Sequence, residues 1–153
     1  MKLTPIVALS ILVALSILIL ASNCIAAFTP TSEDMTWGNV VVHDAKVLSS
    51  DMSLISTAAS ATDLESIKNY CDLLAEDAGK ALRNSQEYTV SSELQKAKNY
   101  YELAISSYQA GAEKASSGCA LMDANLIKEG TDLMARGTEY MGLATRELNV
   151  VLA

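Results

Sequence analysis

Apolar residues recur at alternating spacings of three and four positions in separate runs along the chain. The first three runs comprise Val41, Ala45, Leu48, Met52, Ile55 and Ala59, then Leu64, Ile67, Cys71, Leu74, Ala78 and Ala81, then Leu94, Ala97, Tyr101, Ala104, Tyr108 and Ala115. This spacing keeps the apolar side chains on one face of a helix with about 3.6 residues per turn. The pattern therefore predicts amphipathic helices over about 33–58, 63–84 and 92–115.

A fourth run follows a heptad, because residues 130–134 (GTDLM) recur as 137–141 (GTEYM). The repeat predicts a helix over about 123–150 that carries Gly130, Gly137 and Ala144 on one stripe. Glycine inside a helix costs about 1 kcal/mol relative to alanine. Two glycines at heptad spacing therefore predict that a neighbouring helix approaches very closely along this stripe.

Signals at the helix ends support these limits. Pro30 followed by residues 31–34 (TSED) is typical of a helix start, and Thr62 with Glu65 three residues later predicts the cap of the second helix. Both prolines of the chain lie within its first 30 residues, which leaves 123 residues (153 − 30) without one. Such a stretch disfavours a turn-rich β fold.

The predicted fold is all-α. Short connections, including one at residues 116–122, favour antiparallel neighbours. We therefore expect an up-down-up-down four-helix bundle over residues 33–153, preceded by a short linker at 28–32.

Part of this bundle repeats in the sequence. Residues 62–73 align with residues 92–103 at a shift of 30, and a weaker similarity follows at 123–133. Duplication of one helix-and-loop unit explains the match, and so does chance similarity between amphipathic helices rich in Lys, Leu and Ala.

Residues 1–27 differ from the rest in composition. Lys2 precedes a 15-residue apolar stretch at residues 6–20, and small residues follow up to Ala27. The pattern is typical of a signal peptide cleaved near Ala26 and Ala27. Two alternatives are an uncleaved membrane anchor at residues 6–22 and lipidation at Cys24. All three predict a body outside the cytoplasm, secreted or at the cell surface, with membrane contact only through this segment.

The charge of the body excludes one class of partner. Without Lys2 it carries 10 basic residues (11 − 1) against 18 acidic ones, a net charge of −8. It has no basic run, so no nucleic-acid binding is expected.

The sequence predicts no catalytic, metal or cofactor site. His43 is the single histidine, and it is followed by Asp44. Glu-x-x-His pairs, Cys-x-x-Cys pairs, phosphate loops and nucleophile elbows are all missing from the sequence. We therefore expect a protein that is not an enzyme.

Aromatic side chains are the remaining candidates for contact with a ligand or partner. These candidates, with the single histidine, are Trp37, His43, Tyr70, Tyr100, Tyr101, Tyr108 and Tyr140. They either line a pocket between helices or lie where a helix face turns from core to water.

Two cysteines belong to the body of the protein. Cys71 falls in the second apolar stripe and is expected to be buried, whereas Cys119 falls in the predicted 116–122 connection and is expected to be accessible. At 1.5 Å per residue Cys71 would lie about 12 Å along the helix axis from that connection. We therefore expect no disulfide between them, because a disulfide joins Cα atoms about 4.4–6.8 Å apart.

These observations favour a non-enzymatic helical module that functions in interaction or structure, with an unidentified protein partner or self-association. The alternative is a binding protein for a small amphipathic ligand or a metal held between the helices.

Overall fold

A computed structural model describes residues 28–152 of the chain, and within this range it contains four α-helices and no strand. The helices are α1 (Ser32–Ser60), α2 (Leu64–Gln86), α3 (Gln95–Leu121) and α4 (Ala124–Leu152). The all-α, four-helix prediction is confirmed. The predicted signal or anchor segment at 1–27 lies outside the described residues.

Side chains cap three of the helices. Asp34 Oδ2 accepts from the Thr31 amide at 2.8 Å, and Thr31 Oγ1 accepts from the Asp34 amide at 3.1 Å, which is a capping box at the start of α1. Asp63 rather than Thr62 caps α2, because the Asp63 carboxylate accepts from the Ser66 amide. Asp123 accepts from the first amides of α4.

The predicted connection at 116–122 is wrong, because α3 continues through Leu121. Only Met122, which adopts a left-handed conformation with φ of 54°, and Asp123 separate α3 from α4. Ser and Gly have low helix propensity, but tertiary contacts keep this part of the chain helical. Ser116 donates a hydrogen bond to Asp72 on α2, and Gly118 lies directly against Ile127 on α4.

Consecutive helices pack against each other, most extensively α3 against α4. Polar contacts join α1 to α2 through Trp37 and Ser85, and α2 to α3 through Ser85 and Glu102. Helix α3 is central. It buries the largest set of side chains, including Ala97, Tyr101, Ala104, Ile105, Tyr108, Ala112 and Ala115.

The outer helix α1 differs from its predicted orientation. Of its apolar stripe only Leu48 is buried, whereas Val41, Ala45, Met52, Ile55 and Ala59 are half-buried. The face that packs inward also carries Asp34, Asp44 and Asp51. The buried face of α1 is therefore shifted relative to its apolar stripe, although Val41, Met52 and Ile55 still pack against the core.

No helix among the described residues is both long enough and apolar enough to be a candidate membrane span.

Candidate functional site

An apolar groove lies between the two outer helices. It encloses a cavity of about 280 Å³. Its walls are the N-terminal half of α1, the start of α3 and the C-terminal part of α4, and Phe28 and Pro30 also line it. We refer to this cavity and its walls as the α1/α4 groove.

The groove exists because α1 packs on α2 and α4 packs on α3, while α1 and α4 make few contacts with each other. Small residues on all three walls, namely Gly38, Ala45, Ala97 and Ala144, leave the intervening space open. Larger apolar side chains complete the lining, among them Val41, Val42, Leu94, Met141 and Leu148. The result is a preformed concave surface, which is the usual form of a small-molecule site between helices.

Two aromatic rings line this groove and contact each other. Trp37 and Tyr101 meet edge to face, with ring centroids 6.3 Å apart and an interplanar angle of 90°. Both residues are almost completely buried. Aromatic pairs in this geometry contribute about 0.5–1.5 kcal/mol beyond their burial.

A chain of hydrogen bonds fixes the Trp37 ring. Trp37 Nε1 donates to Ser85 Oγ at 3.1 Å, and Ser85 Oγ donates to Glu102 Oε1 at 3.0 Å. Lys98 Nζ in turn pairs with Glu102 Oε1 at 2.6 Å. Ser85 has no exposed surface, so water cannot replace its hydroxyl as the hydrogen-bond partner of the indole nitrogen. One face of the groove is therefore held in a single geometry.

The Tyr101 hydroxyl is buried and has no hydrogen-bond partner in the described structure. Burial raises its pKa, and the charges of Asp44 and Glu102 raise it further. The phenol is consequently neutral at physiological pH.

Asp34 is the one acidic residue among those that line the groove. Its two carboxylate oxygens accept from the amides of Thr31 and Ser91, both at 2.8 Å. Burial alone would raise the pKa of Asp34, but these hydrogen bonds outweigh it and the pKa is lowered. Asp34 is therefore a carboxylate at neutral pH.

The other aromatic candidates lie elsewhere. Tyr100 and Tyr140 stack between α3 and α4, with ring centroids 6.5 Å apart. Tyr108 is buried and hydrogen-bonds Thr138 at 3.3 Å. Tyr70 is half-buried on α2. Of the tyrosines singled out from the sequence, only Tyr101 lines the groove, together with Trp37.

His43 lies outside the groove lining, and its side chain is 76% exposed. Its only described hydrogen bond is with Asp44, at 3.2 Å. Among the described residues no group of three or more His, Cys, Asp or Glu side chains is arranged to hold a metal ion.

The glycine stripe of α4 faces α3. A Cβ added at Gly130 would lie 2.5 Å from the Gly111 carbonyl oxygen, and one added at Gly137 would lie 2.7 Å from the Tyr108 ring. Ala144 is 3% exposed and lines the groove at the C-terminal part of the stripe. Gly130 and Gly137 thus let α4 approach α3 closely, and Ala144, the last residue of the stripe, lies in the wall of the groove.

The predicted position of Cys119 is wrong. It lies within α3 and is 6% exposed, and Cys71 has no exposed surface. The hydrogen bond between Asp72 and Ser116 brings these parts of α2 and α3 together, so the predicted separation along the axis does not exist. Both thiols are free in the structure.

Most of the groove was not predicted from the sequence. Its walls include Leu148, Asn39 and Asn149, none of which was singled out. The signal in the sequence was weak, because small residues on three helices acquire a common role only when the helices face one another.

No family model matches the chain, and no curated protein or solved structure is similar enough to indicate a relative.

Proposed function

We propose that this chain is an exported, non-enzymatic protein that binds a small amphipathic ligand in the α1/α4 groove. The observation that carries the proposal is the preformed apolar cavity of about 280 Å³ with Trp37 and Tyr101 in its lining. An apolar ligand would remove the exposed part of this lining, such as Met35, from water, and burial of apolar surface is the main favourable contribution to binding.

The rigidity of the groove supports the same function. Trp37 is fixed through Ser85 and Glu102, so the binding surface needs little reorganisation when a ligand enters. A preorganised site loses less conformational entropy on binding than a mobile one.

The proposal includes an up-down-up-down order of the helices. Residues near the start of α1 contact the end of α2 (Trp37 with Ser85), and the end of α3 contacts the start of α4 (Gly118 with Ile127). These contacts and the two-residue connection between α3 and α4 support antiparallel neighbours. Export, through a signal peptide or an anchor at residues 1–27, rests on the sequence pattern alone.

An interaction module is the second candidate. The half-buried apolar residues of α1 and α4 that border the groove, such as Val41 and Leu148, favour it, because a partner helix would cover the same face. The two candidate functions differ in what lies in the groove, a small molecule in the first and a helix of a partner protein in the second.

The test uses N-phenyl-1-naphthylamine, a small apolar probe that fluoresces in apolar surroundings. Trp37 is the single tryptophan of the chain and lines the groove, so energy transfer from its indole reports binding at this site. We expect Ala45→Leu, which adds bulk to a half-buried groove residue, to weaken probe binding roughly tenfold or more, about 1.4 kcal/mol.

Ala135→Leu is the matched control, because Ala135 is an exposed residue of α4 outside the groove. This variant should bind the probe as the unaltered protein does. Equal binding by both variants, or no energy transfer in the unaltered protein, would refute the small-ligand function.

A further inference from the structure

We infer that the α1/α4 groove selects uncharged amphiphiles and rejects anionic ones, free fatty acids included. The inference rests on the proposed function and names the chemical class of its ligand. It follows from the charges at the groove. Among the described residues, Asp34 is the only charged side chain in the lining, and no Lys, Arg or His lines it.

Asp34 cannot readily give up its charge or move aside. Its two oxygens hold the Thr31 and Ser91 amides, and the residue is 3% exposed. A ligand carboxylate in the same apolar groove would lose water and meet a like charge. Both effects oppose binding of an anion.

Two lysines at the start of α3 are already paired. Lys98 contacts Glu102 at 2.6 Å, and Lys96 contacts Glu147 at 2.8 Å. Neither lysine lines the groove.

Lys46 and Arg146, which follow the lining residues Ala45 and Thr145, are exposed and lie outside the lining. An anionic headgroup inside the groove would therefore find no cation among the described lining residues.

Neutral polar groups are available instead. Asn39 from α1 and Asn149 from α4 line the groove, and neither side chain makes a hydrogen bond within the described structure. An amide offers both donors and an acceptor. Hydroxyl, ester and amide headgroups match these two side chains without introducing a charge.

The volume limits the apolar part. Because a water molecule takes up about 30 Å³ in the liquid, the 280 Å³ cavity holds on the order of ten groups of that size. A single acyl chain of roughly a dozen carbons is therefore near the upper limit for the apolar part.

The experiment compares two ligands with the same acyl chain, glycerol monolaurate and laurate, at pH 8 and below their aggregation concentrations. Each is added to the full chain carrying N-phenyl-1-naphthylamine, and displacement is followed by loss of energy transfer from Trp37. We expect the neutral ester to displace the probe at a concentration at least roughly tenfold lower than laurate.

Asn149→Lys provides a gain-of-function variant, because it places a cation in the lining. It should improve displacement by laurate roughly tenfold and leave glycerol monolaurate nearly unchanged. Asn125→Lys, an exposed site on the same helix outside the groove, is the charge-matched control and should keep the selectivity of the unaltered protein.

The outcomes separate the two proposals. Equal or stronger displacement by laurate in the unaltered protein would overturn the selectivity and leave the groove as a binding site. Failure of the probe to bind at all would overturn both. Probe binding that neither ligand reverses, but that an amphipathic helical peptide does, would also overturn the selectivity and would favour the interaction module.

Discussion

Gly111 on α3 and Gly130 on α4 lie opposite each other with no room for a side chain between them. A Cβ added at Gly130 would lie 2.5 Å from the Gly111 carbonyl oxygen, and one added at Gly111 would lie 2.7 Å from that of Gly130. The obstructing atoms belong to the backbone, so neither helix can yield by a change of rotamer. This pair sets how closely α3 and α4 approach each other at this point.

The first prediction concerns this contact. Gly130→Ala should lower the free energy of unfolding by roughly 1–3 kcal/mol or more, because the helices must separate to admit the methyl group. Gly142→Ala is the control on the same helix, since a Cβ there meets nothing within 4 Å. It should raise stability by up to about 1 kcal/mol through helix propensity alone. Urea unfolding followed by circular dichroism measures both, and equal effects would contradict the close contact.

The second prediction concerns the support of Trp37. Ser85→Ala removes the acceptor of the indole N–H and leaves that donor buried without a partner. We expect a loss of about 1–3 kcal/mol in the free energy of unfolding. Ser106→Ala, at an exposed position of α3, should change stability by less than about 0.5 kcal/mol. A similar effect of both variants would argue against the hydrogen-bond chain.

The third prediction is a dependence of stability on pH. Burial, and to a smaller extent the negative charge of Asp77, raises the pKa of Asp51 from 3.8 to about 6. Below about pH 3 the carboxyl is protonated in both the folded and the unfolded chain, so its burial does not change stability through ionisation. Between about pH 4 and 6 the unfolded chain ionises while the folded chain keeps the proton, so the contribution of Asp51 to stability falls as pH rises.

Asp51→Asn should remove this dependence. The variant is expected to be more stable than the unaltered protein at pH 7, by up to about 3 kcal/mol, and the difference should shrink toward pH 4. Urea unfolding at four or five pH values measures this difference in stability. Glu139→Gln, which removes an exposed carboxylate, is the control. A difference that stays constant with pH would show that Asp51 does not titrate in this range.

The fourth prediction concerns the thiols. Burial, followed by the charges of Cys119 and Asp72, raises the pKa of Cys71 to about 12, and burial also raises the pKa of Cys119. At pH 8 both thiols should react with a disulfide reagent far more slowly than the exposed thiol introduced by Ser106→Cys. Both should react promptly in urea. Rapid labelling of Cys119 in the folded protein would contradict its burial in α3 and would support the accessible position predicted from the sequence.

The sequence by itself determined where α2 and most of α3 form and which residues they bury. Cys71, Leu74, Ala78 and Ala81 of the second stripe are all buried. The prediction succeeded because these helices have neighbours on more than one side, so their apolar faces and their buried faces coincide. Trp37 and Tyr101 were also recognised as candidate contacts from residue type alone.

Only the tertiary structure decided the extent of α3, the buried face of α1 and the existence of the groove. Residues 116–119 have weaker helix propensity, and contacts with Asp72 and Ile127 keep them helical. Helix α1 buries three aspartates because it packs extensively on α2 alone, and only Val41 and Ala45 of its apolar stripe line the gap toward α4. That gap arises from small residues on three separate helices, and a local pattern carries no information about their relative positions.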